Sequence, residues 1–168
     1  CARLLQESVR LLTLVGPPGV GKTRLAQAIG TRLVFTCADG GCFVPLAGVT
    51  NPEHVASSIL AALEASSLNG APLPALVSLL RRREMVLVLD NFEHILPAGP
   101  QLSHLLAECP GVRIIVTSRE RLRLRSENIA RVPPLDLQSA VELFLERARA
   151  AGADLSVNSG DHAQIEAI

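Results

Sequence analysis

Residues 16–23 read Gly16-Pro17-Pro18-Gly19-Val20-Gly21-Lys22-Thr23, directly after the apolar run Leu11-Leu12-Thr13-Leu14-Val15. The octet satisfies G-x-x-x-x-G-K-[ST], a pattern whose glycine-rich backbone turns N–H groups toward an anion. A buried-strand run that halts at glycine is how a parallel strand feeds such a loop. Beyond the loop, Leu25, Ala26, Ala28, Ile29 and Leu33 recur at helical spacing. A helix from Lys22 to about Val34 is therefore expected, adding the positive end of its dipole to the loop.

The chain holds sixteen Lys plus Arg, and Lys22 is its only lysine. A sequence that writes every other basic position as arginine keeps a compact ammonium on a flexible stem at this one place. That suits reaching the β- and γ-phosphates of a nucleotide, which a planar guanidinium does differently. Gly16, Pro17, Pro18, Gly19, Val20, Gly21, Lys22, Thr23 and Arg24 form the expected cofactor-binding set, with the Thr23 hydroxyl as a Mg²⁺ ligand.

Working outward, Cys42-Phe43-Val44-Pro45-Leu46 reads as a second strand, and Asn51-Pro52 as a capped helix start leading to Val55, Ile59, Leu60 and Leu63. Asn69 to Pro74 reads as a connection, and Leu76 to Arg83 as a helix. Met85-Val86-Leu87-Val88-Leu89-Asp90 is a wholly apolar strand ending in an acid. A helix near Gln101–Glu108, a strand Arg113–Thr117, a shorter strand Ile129–Val132 and a helix Leu137–Ala151 complete the order. Alternating strands and helices imply an α/β fold with a parallel sheet covered on both faces.

Composition narrows the functions. Formal net charge is zero and there is no Tyr or Trp, so neither a basic footprint nor an aromatic stacking platform for nucleic acid exists. Direct nucleic-acid contact is not expected, nor is a membrane, since no aliphatic run approaches the roughly 20 residues needed to span one. Cys1, Cys37, Cys42 and Cys109 lack C-x-x-C spacing, and no signal segment is legible. A soluble domain of the cytoplasm with reduced thiols is expected.

Asp90, at the tip of a buried parallel strand, lies where open α/β sheets bind ligands, and it is expected to hold Mg²⁺ with Thr23. An N-cap role is the bland reading of the same residue. Hydrolysis needs a group that orients or deprotonates water. Asn91 can position water without being a base, and Glu93 can be a base if it faces the γ-phosphate; a solvated glutamate is the competing reading. His94 reads as a packing or surface histidine. Arg119, in Thr117-Ser118-Arg119-Glu120, is placed to neutralise γ-phosphate charge, or else to pair with Glu120 or Glu93. Lys22, Asp90, Asn91, Glu93 and Arg119 thus make up the candidate catalytic set.

G-P-P-G-V-G-K-T-R-L-A, V-L-V-L-D-N-F-E-H and R-I-I-V-T-S-R-E-R-L, in this order, resemble the STAND class of P-loop NTPases (NB-ARC-like). The likeness extends to the ATPase module of large bacterial LuxR-type or winged-helix transcriptional regulators. The resemblance spans about Leu11 to Ala148. It implies a three-layer α/β/α core with a five-stranded parallel sheet of order 5-1-4-3-2, over residues 1–135. Residues 136–168 would begin a helical lid, and the fragment would stop before the lid is complete. It implies ATP/ADP and Mg²⁺, slow hydrolysis, effector and sensor domains on the same parent chain, and an ATP-driven homo-oligomer. It assigns Lys22 and Thr23 to phosphate and metal, Asp90 to the metal, and Arg119 to γ-phosphate sensing. Relatives often carry a second acid where this chain has Asn91, so a catalytically silent nucleotide-binding scaffold is the alternative. A GTPase is disfavoured because no N-K-x-D motif is present. A DNA motor or an AAA-type remodelling ATPase fits the T-S-R-E tip less well.

Overall fold

Side chains leave alternate sides of a strand, so an uninterrupted apolar strand must be buried on both faces. The computed structural model, which describes residues 9–65, 70–134 and 136–150, shows this for β3 (Met85–Asp90), buried at all six positions. Met85, Leu87 and Leu89 join one apolar cluster; Val86 and Val88 join another. β1 (Leu11–Val15), β2 (Gly41–Pro45), β4 (Val112–Ser118) and β5 (Glu127–Arg131) complete a parallel sheet of order β2-β3-β4-β1-β5. Taken from the other edge this is 5-1-4-3-2, the order the resemblance implied.

One face is covered by α1 (Lys22–Val34) through Ala26, Ile29 and Leu33, packed with Leu12, Leu14, Val86, Val88 and Ile115. The opposite face is covered by α2 (Val55–Ala62), α3 (Pro72–Leu80) and α4 (Gly99–Glu108), which bury Ile59, Leu76, Leu80, Leu102 and Leu105. The same alternation decides the site. Asp90 continues the Val86–Val88 side and Thr117 the Ile115 side, so both face α1 rather than the larger core.

Several boundaries differ from expectation. α3 begins at Pro72, inside the stretch expected to be a connection. Pro72 and Pro74 fall in its first turn, where backbone N–H groups have no helical acceptor and proline costs nothing. α4 likewise starts at Gly99, with Pro100 in its first turn. β5 starts at Glu127, two residues early, in register with Leu11. At Asn51 the side chain accepts from Glu53 N at 2.9 Å, but the element it caps is one 3₁₀ turn (Pro52–His54) leading into α2.

In sequence, the chain divides into two compact units between Val132 and Pro133. The second contains α5 (Leu137–Ala150). Asp136 caps it, accepting from Ser139 N at 2.8 Å and from the Ser139 hydroxyl at 3.0 Å. Those bonds, the backbone one foremost, hold the Asp136 carboxyl below its ordinary value. Among the described residues, no helix is long and apolar enough to cross a membrane.

Candidate functional site

Val15 ends β1 and the chain turns at Gly16, whose hydrogen cannot be replaced: a Cβ there would sit 2.5 Å from the Val132 carbonyl oxygen. Gly19 and Gly21 adopt φ of 77° and 88°, the left-handed region open to glycine. A Cβ on either would meet nothing within 4 Å. Here the requirement is therefore backbone conformation, and the space above the turn stays clear for a ligand. Pro17, Pro18 and Arg24 are exposed and Val20 half-buried around it.

Lys22 is 9% exposed, so its ammonium needs partners. Nζ donates to the carbonyls of Gly16 and Pro17, each at 2.8 Å. The loop curls around its own lysine, which leaves the third N–H for a ligand. Thr23 follows Lys22 in the first turn of α1, and its hydroxyl donates to Asp90 Oδ1 at 2.8 Å. Strand β4 adds Thr117, 2% exposed, whose hydroxyl donates to the same Oδ1 at 2.5 Å. Asp90 itself is only 7% exposed. Hydrogen bonds to a charged group contribute about 1.5–3 kcal/mol each, which offsets much of the cost of burying this carboxylate.

Asn91 follows at φ 65° and ψ 45°, left-handed. Its backbone N–H donates to Thr117 Oγ1 at 3.0 Å. Asparagine is one of the few residues with a Cβ that enter this conformation readily, which gives a conformational reason for a short polar side chain at position 91.

Glu93 and Arg119 are brought together. Arg119 Nε lies 3.1 Å from Glu93 Oε1; the carboxylate side chain is 8% exposed and the guanidinium side 55%. Glu93 Oε2 is buried and has no hydrogen-bond partner among the described residues. Of the readings open for these residues, the ion pair with Glu93 is the one present. His94 is exposed.

Lys22, Thr23 and Asp90 thus converge, with Asn91 behind them through its backbone. Sequence reasoning named Thr117 as a polar tip residue but did not place it beside Asp90. The period-two pattern through Ile115 carried that signal. The donor set fits a polyphosphate with a hard divalent cation: open left-handed glycines, an ammonium, a hydroxyl whose proton is spent on Asp90, and carboxylate oxygen. Other clefts measure about 470 Å³ beside Val15 and Arg131 and about 850 Å³ along α3 and α4.

Comparison with known proteins agrees with this geometry. The AAA domain family matches residues 6–125. An uncharacterized protein of Mycobacterium tuberculosis (strain ATCC 25618 / H37Rv) is 39% identical over 160 residues, covering 94% of this chain and 40% of its own. A second protein of that strain, provisionally named an HTH-type transcriptional regulator, is 42% identical over 152 residues, covering 87% of this chain and 17% of its own. The chain therefore spans less than half the length of these relatives. Among solved structures, Cdc6p from Pyrobaculum aerophilum superposes with TM-score 0.65 at 19% identity, over 89% of this chain and 46% of that one. A STAND protein with a tetratricopeptide repeat sensor from Pyrococcus horikoshii gives 0.57 at 14% identity, over 96% and 26%. These two likenesses speak for the fold alone. The family match places the chain in the AAA grouping that the T-S-R-E tip had ranked lower. The chain belongs to the AAA domain family and is a P-loop NTPase domain of the AAA type.

Proposed function

We propose that the chain is the ATP-binding switch module of a STAND-class, NB-ARC-like regulator. In this reading residues 1–135 form the nucleotide core and residues 136–168 the start of a helical lid, in a cytoplasmic protein whose other domains sense and respond. The observation that carries it is the cluster Thr23–Asp90–Thr117 beneath the Lys22 loop. The 42% identity to a regulator-named protein supports the transcriptional setting.

The residues act as follows. Backbone N–H groups from Gly19 to Thr23 receive the phosphates, and Lys22 exchanges the carbonyls of Gly16 and Pro17 for phosphate oxygens. Thr23 and Asp90 hold the metal, Thr23 through lone pairs that stay outward because its proton goes to Asp90. When bound, Mg²⁺ neutralises charge on the β- and γ-phosphates. Arg119, half exposed, leaves Glu93 for the γ-phosphate and so reports its presence. Asn91 or Glu93 then orients the attacking water.

Lys22→Ala tests this by calorimetry with ATP and MgCl₂. Affinity is expected to fall by at least about tenfold, and in practice to vanish, since a charge-assisted contact is worth roughly 1.5–3 kcal/mol, while circular dichroism stays unchanged. Unaltered affinity in the variant defeats the reading. A nucleotide-bound scaffold without turnover is the second reading. It is favoured by one observation: Glu93, the one acid placed just after Asp90, is already paired with Arg119.

A further inference from the structure

Thr117 has a single hydroxyl proton, and its surroundings decide where that proton goes. Asn91 N is a donor only, and it occupies a lone pair of Thr117 Oγ1 at 3.0 Å. The remaining hydrogen is therefore directed to Asp90 Oδ1 at 2.5 Å. Thr23 donates to that same oxygen from the other side at 2.8 Å. Two hydroxyls from two different elements converge on Oδ1, and none of the hydrogen bonds among the described residues involves Oδ2. A carboxylate gripped this way on one oxygen cannot turn about its terminal torsion, which is otherwise broad and soft.

The Asn91 N–H gives the grip one direction only. It stands at the end of β3 and donates to Thr117 Oγ1 at the tip of β4. Without that N–H the Thr117 hydroxyl is free to rotate and accept instead of donate. With it, Asp90 Oδ1 is the acceptor. Thr117 is 2% exposed, and the loop N–H groups that would face phosphates lie on another segment. Its chemistry is thus directed at Asp90 and not at a ligand.

We infer that Thr117 is a positioning residue that sets the Asp90 carboxylate for a divalent cation, with Asn91 acting through its backbone to fix the direction of the hydroxyl. The inference rests on the reading of Asp90 as metal-holding. It assigns Thr117 no contact with phosphate, so loss of its hydroxyl should weaken metal-dependent binding and leave metal-free binding intact.

The test uses Thr117→Val, which keeps the shape without the hydroxyl, and Thr117→Ser, which keeps the hydroxyl without the methyl. The affinity of each variant for the non-hydrolysable ATP analogue with a β,γ-imido bridge is measured in MgCl₂ and in EDTA. Mn²⁺ binding in the presence of the analogue is followed by electron paramagnetic resonance. Thr117→Val is expected to lose about tenfold of the affinity gained from the metal, and to weaken Mn²⁺ similarly. Its affinity in EDTA should stay within twofold of the parent, and Thr117→Ser should match the parent throughout. Equal losses in MgCl₂ and EDTA, a full Mg²⁺ effect in Thr117→Val, or failure of Thr117→Ser to restore it overturns the inference. Thermal melts without nucleotide verify folding, and Thr117→Ala takes the place of valine if that variant does not fold. Asp90→Asn runs alongside: if it too keeps the full Mg²⁺ effect, the Asp90 reading fails, whereas an effect lost in Asp90→Asn alone sinks only the role of Thr117.

Discussion

A left-handed backbone at a residue with a Cβ is uncommon, and Asn91 sits in one between the metal-candidate carboxylate and the 3₁₀ turn Phe92–His94. The strain there is tolerable for asparagine and not for a β-branched residue. Asn91→Val is expected to lower stability by about 1–2 kcal/mol, the cost of left-handed backbone for an ordinary L-residue, and denaturant titration measures it. Asn91→Gly should keep parental stability, because glycine adopts this φ freely. A loss as large in the glycine variant would show that the side chain, and not the turn, is what the position requires. At this scale the solitary lysine and Asp90 were legible from spacing. The Asn91–Thr117 bond was not, since it joins the tips of two strands 26 residues apart and depends on how closely they end.

At the scale of elements, α5 shows a cap whose strength varies with pH. Asp136 accepts from both the backbone and the hydroxyl of Ser139, which favours its ionised form and lowers its folded pKa. A carboxyl depressed in the folded state stabilises above its unfolded pKa, about 3.9, and the benefit disappears as pH falls through the lower folded value. Helix content read by far-ultraviolet circular dichroism is therefore expected to decline on acidification below about pH 4. Part of that decline should be absent from Asp136→Ala, which starts with less helix at neutral pH; identical pH curves for variant and parent would remove the cap from the account. The same scale shows where periodicity misleads. The prolines at 72, 74 and 100 look like breakers in sequence, yet they open α3 and α4 because first-turn prolines surrender no hydrogen bond.

For the whole molecule, the alternation of strands and helices implied only a parallel sheet covered on both faces; the strand order came from the resemblance that the three motifs carry, and the sheet has that order. The near-continuous apolar runs in 85–90 and 112–118 signalled strands buried on both faces, and the two clusters they join lie on opposite faces of the sheet. What the sequence left open was chemical allegiance, because Glu93 and Arg119 are adjacent in space and distant in the chain. Turnover separates switch from scaffold. In a single-turnover assay with enzyme in excess over labelled ATP and MgCl₂, ADP should form slowly but above background, and disrupting the pair with Glu93→Gln should change the rate. No ADP over hours in a longer chain that includes the following residues would favour the scaffold.

Gly16 and Val132 are in touch through main chain alone, and the Val132 N–H also donates to the Val15 carbonyl at 2.8 Å. The nucleotide-facing turn and the point where the polypeptide departs from the sheet therefore share a single joint. On the proposed switch reading, a turn that moves on binding nucleotide would carry that departure point with it, giving a signal an exit that does not cross the core.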